Sequence, residues 1–352
     1  MTRADATTLN FSYDALNRIL SSSSQGEVLH KYTYDDCKNG IGRLCSVTDL
    51  SGTTEYKYHK TGQLDKKEVT ISGQKYKLSH HYDNAGRLKN IHYPSGMKVE
   101  YKYDKLGNVT DIKTKGKTLL KNIVYKPFGS EKGCMFGNGQ QRAIQYDNQL
   151  NIERILSTNV QDLSYQYNLS GNITSLENLR YDRIHNFDYD ALNRLTAIAG
   201  SDLESYEYDS LGNRLSGNTF TKSDSYVIGS DSNRLLSVDN GNEVRTFGYD
   251  DNGNIISDEA ANLSKQFTYN AENRMSVSTV NGKTTTYAYN AHGKRVSKTL
   301  VDGTQYHYIY GASGQLLAES KNGKITKEYI YLNGKLVGLY QDKIPTMFIR
   351  TI

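Results

Sequence analysis

The chain contains no tryptophan and only three prolines and three cysteines in 352 residues. It has no apolar run approaching the 18 residues that suggest a transmembrane helix. Its first 30 residues lack the basic start and apolar stretch of a secretory signal. Cys37, Cys45 and Cys134 are odd in number and irregularly spaced. They make neither a disulfide framework nor a Cys-x-x-Cys metal pair. Cys37 and Cys45 are near enough in sequence to pair, but buried free thiols are the preferred reading. The 43 basic and 38 acidic residues leave a formal charge of +5, and the signs are interspersed. That pattern is a solvated surface rather than a nucleic-acid footprint. Hydrophobic residues make up 36%, which is little for one compact core of this length. It suffices for a thin layer in which each strand buries one face.

The chain is instead rich in tyrosine, with 29 copies, and in glycine, with 30. Tyrosine favours pleated, half-buried strand surfaces. The tyrosines fall in a repeat. Tyr13-Asp14-Ala15-Leu16-Asn17-Arg18 returns as Tyr82-Asp83-Asn84-Ala85-Gly86-Arg87 and as Tyr103-Asp104-Lys105-Leu106-Gly107-Asn108. Further copies begin at Tyr167, Tyr189, Tyr208, Tyr249, Tyr269 and Tyr289, and weaker ones at Tyr34, Tyr58, Tyr146, Tyr310 and Tyr331. A period of about 19 to 24 residues is that of a solenoid or array. The array runs through residues 1–340 as one repeat domain, leaving a divergent tail over 341–352.

Asp at position i with Gly at i+3 is a type I turn preference, and the Gly can take a left-handed conformation and form a bulge. The pairs Asp83 and Gly86, Asp104 and Gly107, Asp209 and Gly212, and Asp250 and Gly253 fit, as does Gly293 after Asn290. Asn replaces the Gly at Asn17, Asn193 and Asn273, the substitution that left-handed backbone best tolerates. Between motif copies lie second turns: Asn281-Gly282, Asp302-Gly303 and Asn322-Gly323 read as two-residue hairpins with positive φ at both sites. Ser51-Gly52, Ser72-Gly73 and Ser95-Gly96 occupy similar places. Each period is therefore two strands and two turns of an antiparallel meander. Roughly 14 periods predict about 28 strands, on the order of 130 Å across at ~4.8 Å each, and a sheet that wide twists and curls.

Before each turn, aromatics sit two apart, as in Tyr101 and Tyr103, Tyr165 and Tyr167, Tyr206 and Tyr208, and Tyr287 and Tyr289. That spacing puts both rings on one face of the strand, where rings of neighbouring repeats are expected to stack as ladders.

These Tyr-Asp-x-x-Gly-Arg and Tyr-Asp-x-x-Gly-Asn copies resemble the YD or Rhs repeats. Tyr93-Pro94-Ser95-Gly96 and Tyr125-Lys126-Pro127-Phe128-Gly129 with Phe136-Gly137-Asn138-Gly139 add to the likeness, which spans about residues 11 to 340. The resemblance implies an all-β chain of tandem hairpins forming a curled or spiral sheet, part of a hollow β-cocoon shell. In bacterial Rhs proteins and toxin-complex subunits such shells enclose a C-terminal toxin. In animal teneurins a similar shell lies outside the cell and serves adhesion. The family's terminal core, with its cleavage region, does not follow Tyr329-Ile330-Tyr331-Leu332-Asn333-Gly334 here, so the chain reads as a fragment of a larger protein.

The expected function is a non-enzymatic wall segment of a secreted or surface-associated toxin-type protein. Its expected partners are the rest of that protein or an enclosed toxin domain. The alternative is an adhesin that binds cell-surface carbohydrate through its tyrosines; an enzyme is the remotest reading. No residue is assigned to catalysis, to a cofactor or to a metal. Asn281-Gly282-Lys283-Thr284 lacks the first Gly of a phosphate loop, with Val277 in its place. Asp250 to Asn254 has the wrong Gly and Glu spacing for a calcium loop. Ser313 lacks the spacing of a nucleophile elbow, and adjacent His80 and His81 face opposite ways in a strand.

Overall fold

The computed structural model describes residues 1–127 and 129–341 in full and the backbone of residues 344–347. Phe128 and most of the tail over 341–352 lie outside the described residues. Thirty-three β-strands and no α-helix occur among the described residues. The excess over the number read from the motifs comes from hairpins that carry no Tyr-Asp pair. The turn closed by Phe136 and Gln140 is one, with Phe136 N–H on the Gln140 carbonyl at 2.8 Å.

The strands are short, pair antiparallel and alternate. Along Leu64–Ile71, Lys67, Val69 and Ile71 are buried while their neighbours are half-buried. A period of two is what one covered face demands. The strands fall into two compact units. One comprises Met1–Leu119, Asp250–Asn254 and the stretch from Gln266 to the end of the described chain. The other comprises Leu120–Tyr249 and Ile255–Lys265.

In the first unit the sheet curls so that its early strands lie against its late ones. Leu78, Met97, Val99 and Ile112 from the early strands, and Ile309, Ala318 and Ile330 from the late ones, are all 0% exposed. Hydrogen bonds follow the same order along both stretches. Ala291 N–H reaches Asp49 Oδ2 at 3.0 Å, the Lys67 ammonium reaches the Tyr310 carbonyl at 3.0 Å, and Tyr93 Oη–H reaches the Tyr329 carbonyl at 2.9 Å. Side chains thus fill most of the space between the two layers.

Several buried polar groups in this layer are paired across it. Tyr76 Oη lies 2.9 Å from His307 Nδ1 and 2.7 Å from Ser320 Oγ. Glu328, wholly buried, accepts Ser95 N–H at 3.0 Å and Ser95 Oγ–H at 2.6 Å. Burial raises its carboxyl above the usual range, with the Ser95 bonds opposing. Lys67 is 5% exposed, and burial pulls its ammonium down to about 8.

The second unit is different. Leu120, Ile123, Phe136, Ile144 and Ile155 are buried near its start. From Leu176 to Phe247 its strands are half-buried on one face and largely exposed on the other. Asp258 is buried and clamped by Arg245 and, at 3.0 Å, by Lys265, which together hold its carboxyl below the usual range.

The cysteine expectation is corrected. Cys37 and Cys45 form a disulfide with their Cα atoms 5.5 Å apart, and only Cys134 is a buried free thiol. The sequence signal was weak because the closure depends on a local loop. Gly40 lies under the bridge, where a Cβ would stand 2.4 Å from Cys37 Sγ. The second-turn expectation holds for Asn281-Gly282 and Asn322-Gly323, both at positive φ throughout. At Asp302-Gly303 only the glycine is positive, since the loop closes with Leu300 N–H on the Thr304 carbonyl and is one residue longer.

Candidate functional site: the turn edge and the aromatic faces

The motif turns share one geometry. Asp104 N–H donates to the Asn108 carbonyl at 3.0 Å, and Gly107 N–H donates back to the Asp104 carbonyl. Asp104 Oδ1 also accepts the N–H groups of Leu106 and Asn108 at 2.8 and 2.9 Å, and Asn108 Nδ2 donates to Oδ2. One carboxylate therefore satisfies the donors of a whole loop, which a backbone alone cannot do. These bonds hold its pKa below the usual carboxylate range. Asp83, Asp209 and Asp250 are placed alike. Gly86, Gly212, Gly253 and Gly293 close their loops at positive φ. Strand register shifts by one residue where each motif turn joins its strand, as between Glu207 and Tyr208. That is a bulge.

Gly107 has φ +89, and nothing lies within 4 Å of where its Cβ would be. The cost of a side chain there is the backbone alone. Gly107→Val should destabilise by about 1–3 kcal/mol. A thermal melt by circular dichroism unchanged by the substitution would overturn this account of the turn.

The aromatic pairs do not stack from repeat to repeat. Among the described residues, none of Tyr101, Tyr103, Tyr165, Tyr167, Tyr206, Tyr208, Tyr287 and Tyr289 contacts another tyrosine ring. One repeat is two strands, about 9.6 Å, and rings interact at 4.5–7 Å. The strand between carries an aliphatic or small residue instead: Tyr101 pairs with Ile112, Tyr165 with Leu176 and Tyr206 with Gly217.

Two other contacts join the repeats. The motif arginine lies over the tyrosine of the next repeat, Arg87 over Tyr103 at 4.7 Å and Arg194 over Tyr208 at 4.8 Å. Arg274 over Tyr289 is longer, at 5.8 Å. Each such contact contributes about 0.5–1 kcal/mol when exposed. Arg87 Nε also holds its own Asp83 at 2.8 Å, so one guanidinium ties a turn to its neighbour. Second, the motif tyrosine donates Oη–H to a backbone carbonyl on the preceding strand. Tyr103 reaches Leu88, Tyr167 reaches Ile152, Tyr208 reaches Leu195 and Tyr289 reaches Met275, each at 2.8 Å. The carbonyl lies where backbone pairing between the strands has ended, as at Asn90 with Glu100. The phenol supplies the missing donor. The recurrence of Arg18, Arg87, Arg194 and Arg274 in one motif position is the signal that could have located the first contact; the second has none, since any strand tyrosine reads alike.

The second unit presents a row of aromatic and aliphatic residues on its half-buried face, interrupted by polar partners where Ile198 lies opposite Glu204 and Val238 opposite Arg245. Tyr165, Leu176, Phe187, Ile198, Tyr206 and Tyr226 belong to it, and Phe247 ends it. Cross-strand partners alternate aromatic and aliphatic, as with Phe187 opposite Ile198 and Tyr226 opposite Val238. Among the described residues no group of three or more His, Cys, Asp or Glu could hold a metal. No helix is long and apolar enough to cross a membrane.

The model of a family described as the teneurin YD-shell matches residues 2–115 and 225–343. No curated protein matches the chain. Among solved structures, a Photorhabdus luminescens Tc holotoxin pore with a mutated TccC3 is 14% identical, with a TM-score of 0.59, over 94% of this chain and 23% of that one. The TcdB2-TccC3 complex is 15% identical with the same score and coverage. So is that complex without its hypervariable C-terminal region. The chain thus spans 23% of the length of these chains, and at such identity the likeness is one of fold.

Proposed function

This chain belongs to the teneurin YD-shell family, and from that premise we propose that it is a wall segment of a larger secreted or surface-associated toxin-type protein, without catalysis of its own. Its partners are then the rest of that protein and a polypeptide held against the wall, in the manner of a toxin domain. The observation that carries this reading is the half-buried face of the second unit, where aromatic and aliphatic side chains from Tyr165 to Phe247 recur. A sheet face of aromatic and aliphatic residues favours an extended, apolar polypeptide over a folded surface. The tyrosine hydroxyls tolerate polar groups in the same guest.

The test is binding of a permanently unfolded polypeptide, fluorescently labelled reduced and carboxymethylated lactalbumin, to the purified chain. We expect saturable binding that falls at least tenfold in a Phe187→Asp, Tyr226→Asp double variant of unchanged circular dichroism. Failure to bind would sink the wall reading. The adhesin alternative makes the opposite forecast: saturable binding to a glycan array that the same double variant loses.

A further inference from the structure

Within the first unit, a cavity of about 360 Å³ lies between Leu64, Tyr103 and Leu317. Leu64, Leu88, Tyr101 and Tyr103 line it from the early strands, and Leu317 and Tyr331 from the late ones. An engineered apolar cavity of ~150 Å³ accommodates benzene, so this one has room for about two rings. Its walls are aromatic and aliphatic, as small-molecule sites are.

Ser313, Gln315 and Asn333 also line the cavity, and three further polar groups bear on what it can hold. His80 lines the cavity, is 7% exposed, and its Nδ1 has no hydrogen-bond partner. In the neutral imidazole that carries its hydrogen on Nε2, Nδ1 is an acceptor. A buried, unmatched acceptor costs free energy that a ligand donor would recover. Tyr101 and Tyr331 also line the cavity, and among the described residues their hydroxyls have no hydrogen-bond partner, unlike those of Tyr82, Tyr93 and Tyr103. They are free to donate.

No carboxylate, ammonium or guanidinium lines the cavity. Burial pulls His80 down to about 4, with Lys67 and His81 acting in the same direction and Asp65 against, and it pushes Tyr101 well above the usual phenol range. All three groups are therefore neutral at physiological pH, and a charged guest would be desolvated with nothing to pair it.

We propose that this cavity is a binding site for a small, neutral, two-ring molecule bearing one hydroxyl. The rings occupy the apolar walls. The hydroxyl donates to His80 Nδ1 and accepts from a tyrosine hydroxyl, Tyr101 or Tyr331. The proposal does not rest on the wall reading, which concerns the second unit.

The probe is 2-naphthol, titrated into the full chain and followed by its own fluorescence. It should bind saturably. 2-Methoxynaphthalene, which lacks the donor, should bind about tenfold more weakly, as loss of one buried hydrogen bond implies. 2-Naphthoate should not bind, and methyl glucoside should not displace the naphthol. His80→Phe should erase the tenfold preference. Should that variant fail to fold, Tyr331→Phe, whose hydroxyl bonds nothing in the chain, should weaken naphthol binding severalfold. Equal affinity for the two naphthalenes, displacement by methyl glucoside, or no naphthol binding at all would overturn the proposal.

Discussion

Ile330→Ala should lower the stability of the first unit by about 2–5 kcal/mol, the cost of a cavity in a site that cannot collapse. Ile330 is 0% exposed and lies on a late strand, Lys324–Leu332, that faces early strands more than two hundred residues away in sequence. Other side chains of both layers are equally enclosed, among them Leu78 and Ile309. The matched control is Ile184→Ala in the second unit, where the side chain is 42% exposed. That substitution should stay within about 0.5 kcal/mol. Calorimetry on both variants decides the matter: equal costs would mean that the two layers of the first unit are not packed together.

The second large effect is acid destabilisation. The His80 imidazole takes up a proton near pH 6.5 when the chain is unfolded and only near 4 when folded. Between those values the unfolded state binds more protons, so stability falls as pH falls through that window. The displacement corresponds to about 3 kcal/mol, present in full above pH 6.5 and gone near pH 4. His307 and His292, both pulled down chiefly by burial, act in the same direction. Glu328 acts against them, because its raised carboxyl pKa favours the folded state once protonated. The clean measurement is therefore a difference. Wild type should lose melting temperature between pH 6.5 and 4 faster than His80→Phe does. Parallel curves would show that His80 is not buried as a neutral ring.

The two effects differ in how visible they are from the chain alone. Neither Ile330 nor His80 stands out in its own strand. Ile330 lies between Tyr329 and Tyr331 in a pattern shared by many repeats, and whether its face is covered depends on which strand comes to lie against it. His80 and His81 differ only in parity: one points into the layer at 7% exposure, and the other is exposed. The alternation was legible, but not which parity faced inward. Lys67 is the clearest failure of local reasoning. A lysine beside Lys66 and Glu68 reads as a solvated strand position, yet its ammonium is held by the Tyr310 carbonyl.

What the sequence by itself determined is the repeat and its hinges. An Asp whose oxygens satisfy nearby donors, a Gly or Asn that tolerates positive φ, and a period of two act over five residues, so pattern alone carried the antiparallel meander and the position of the motif turns. The disulfide between Cys37 and Cys45 was equally local but lacked a distinctive spacing. What only the tertiary structure decided is where the meander meets itself: the buried side chains between layers in the first unit, the half-buried aromatic row in the second, the Tyr76, His307 and Ser320 cluster, and the cavity beside His80. These depend on small twists and bulges summed over many strands. No single residue encodes that sum, and contacts between positions some 230 to 270 residues apart leave no mark in a five-residue window.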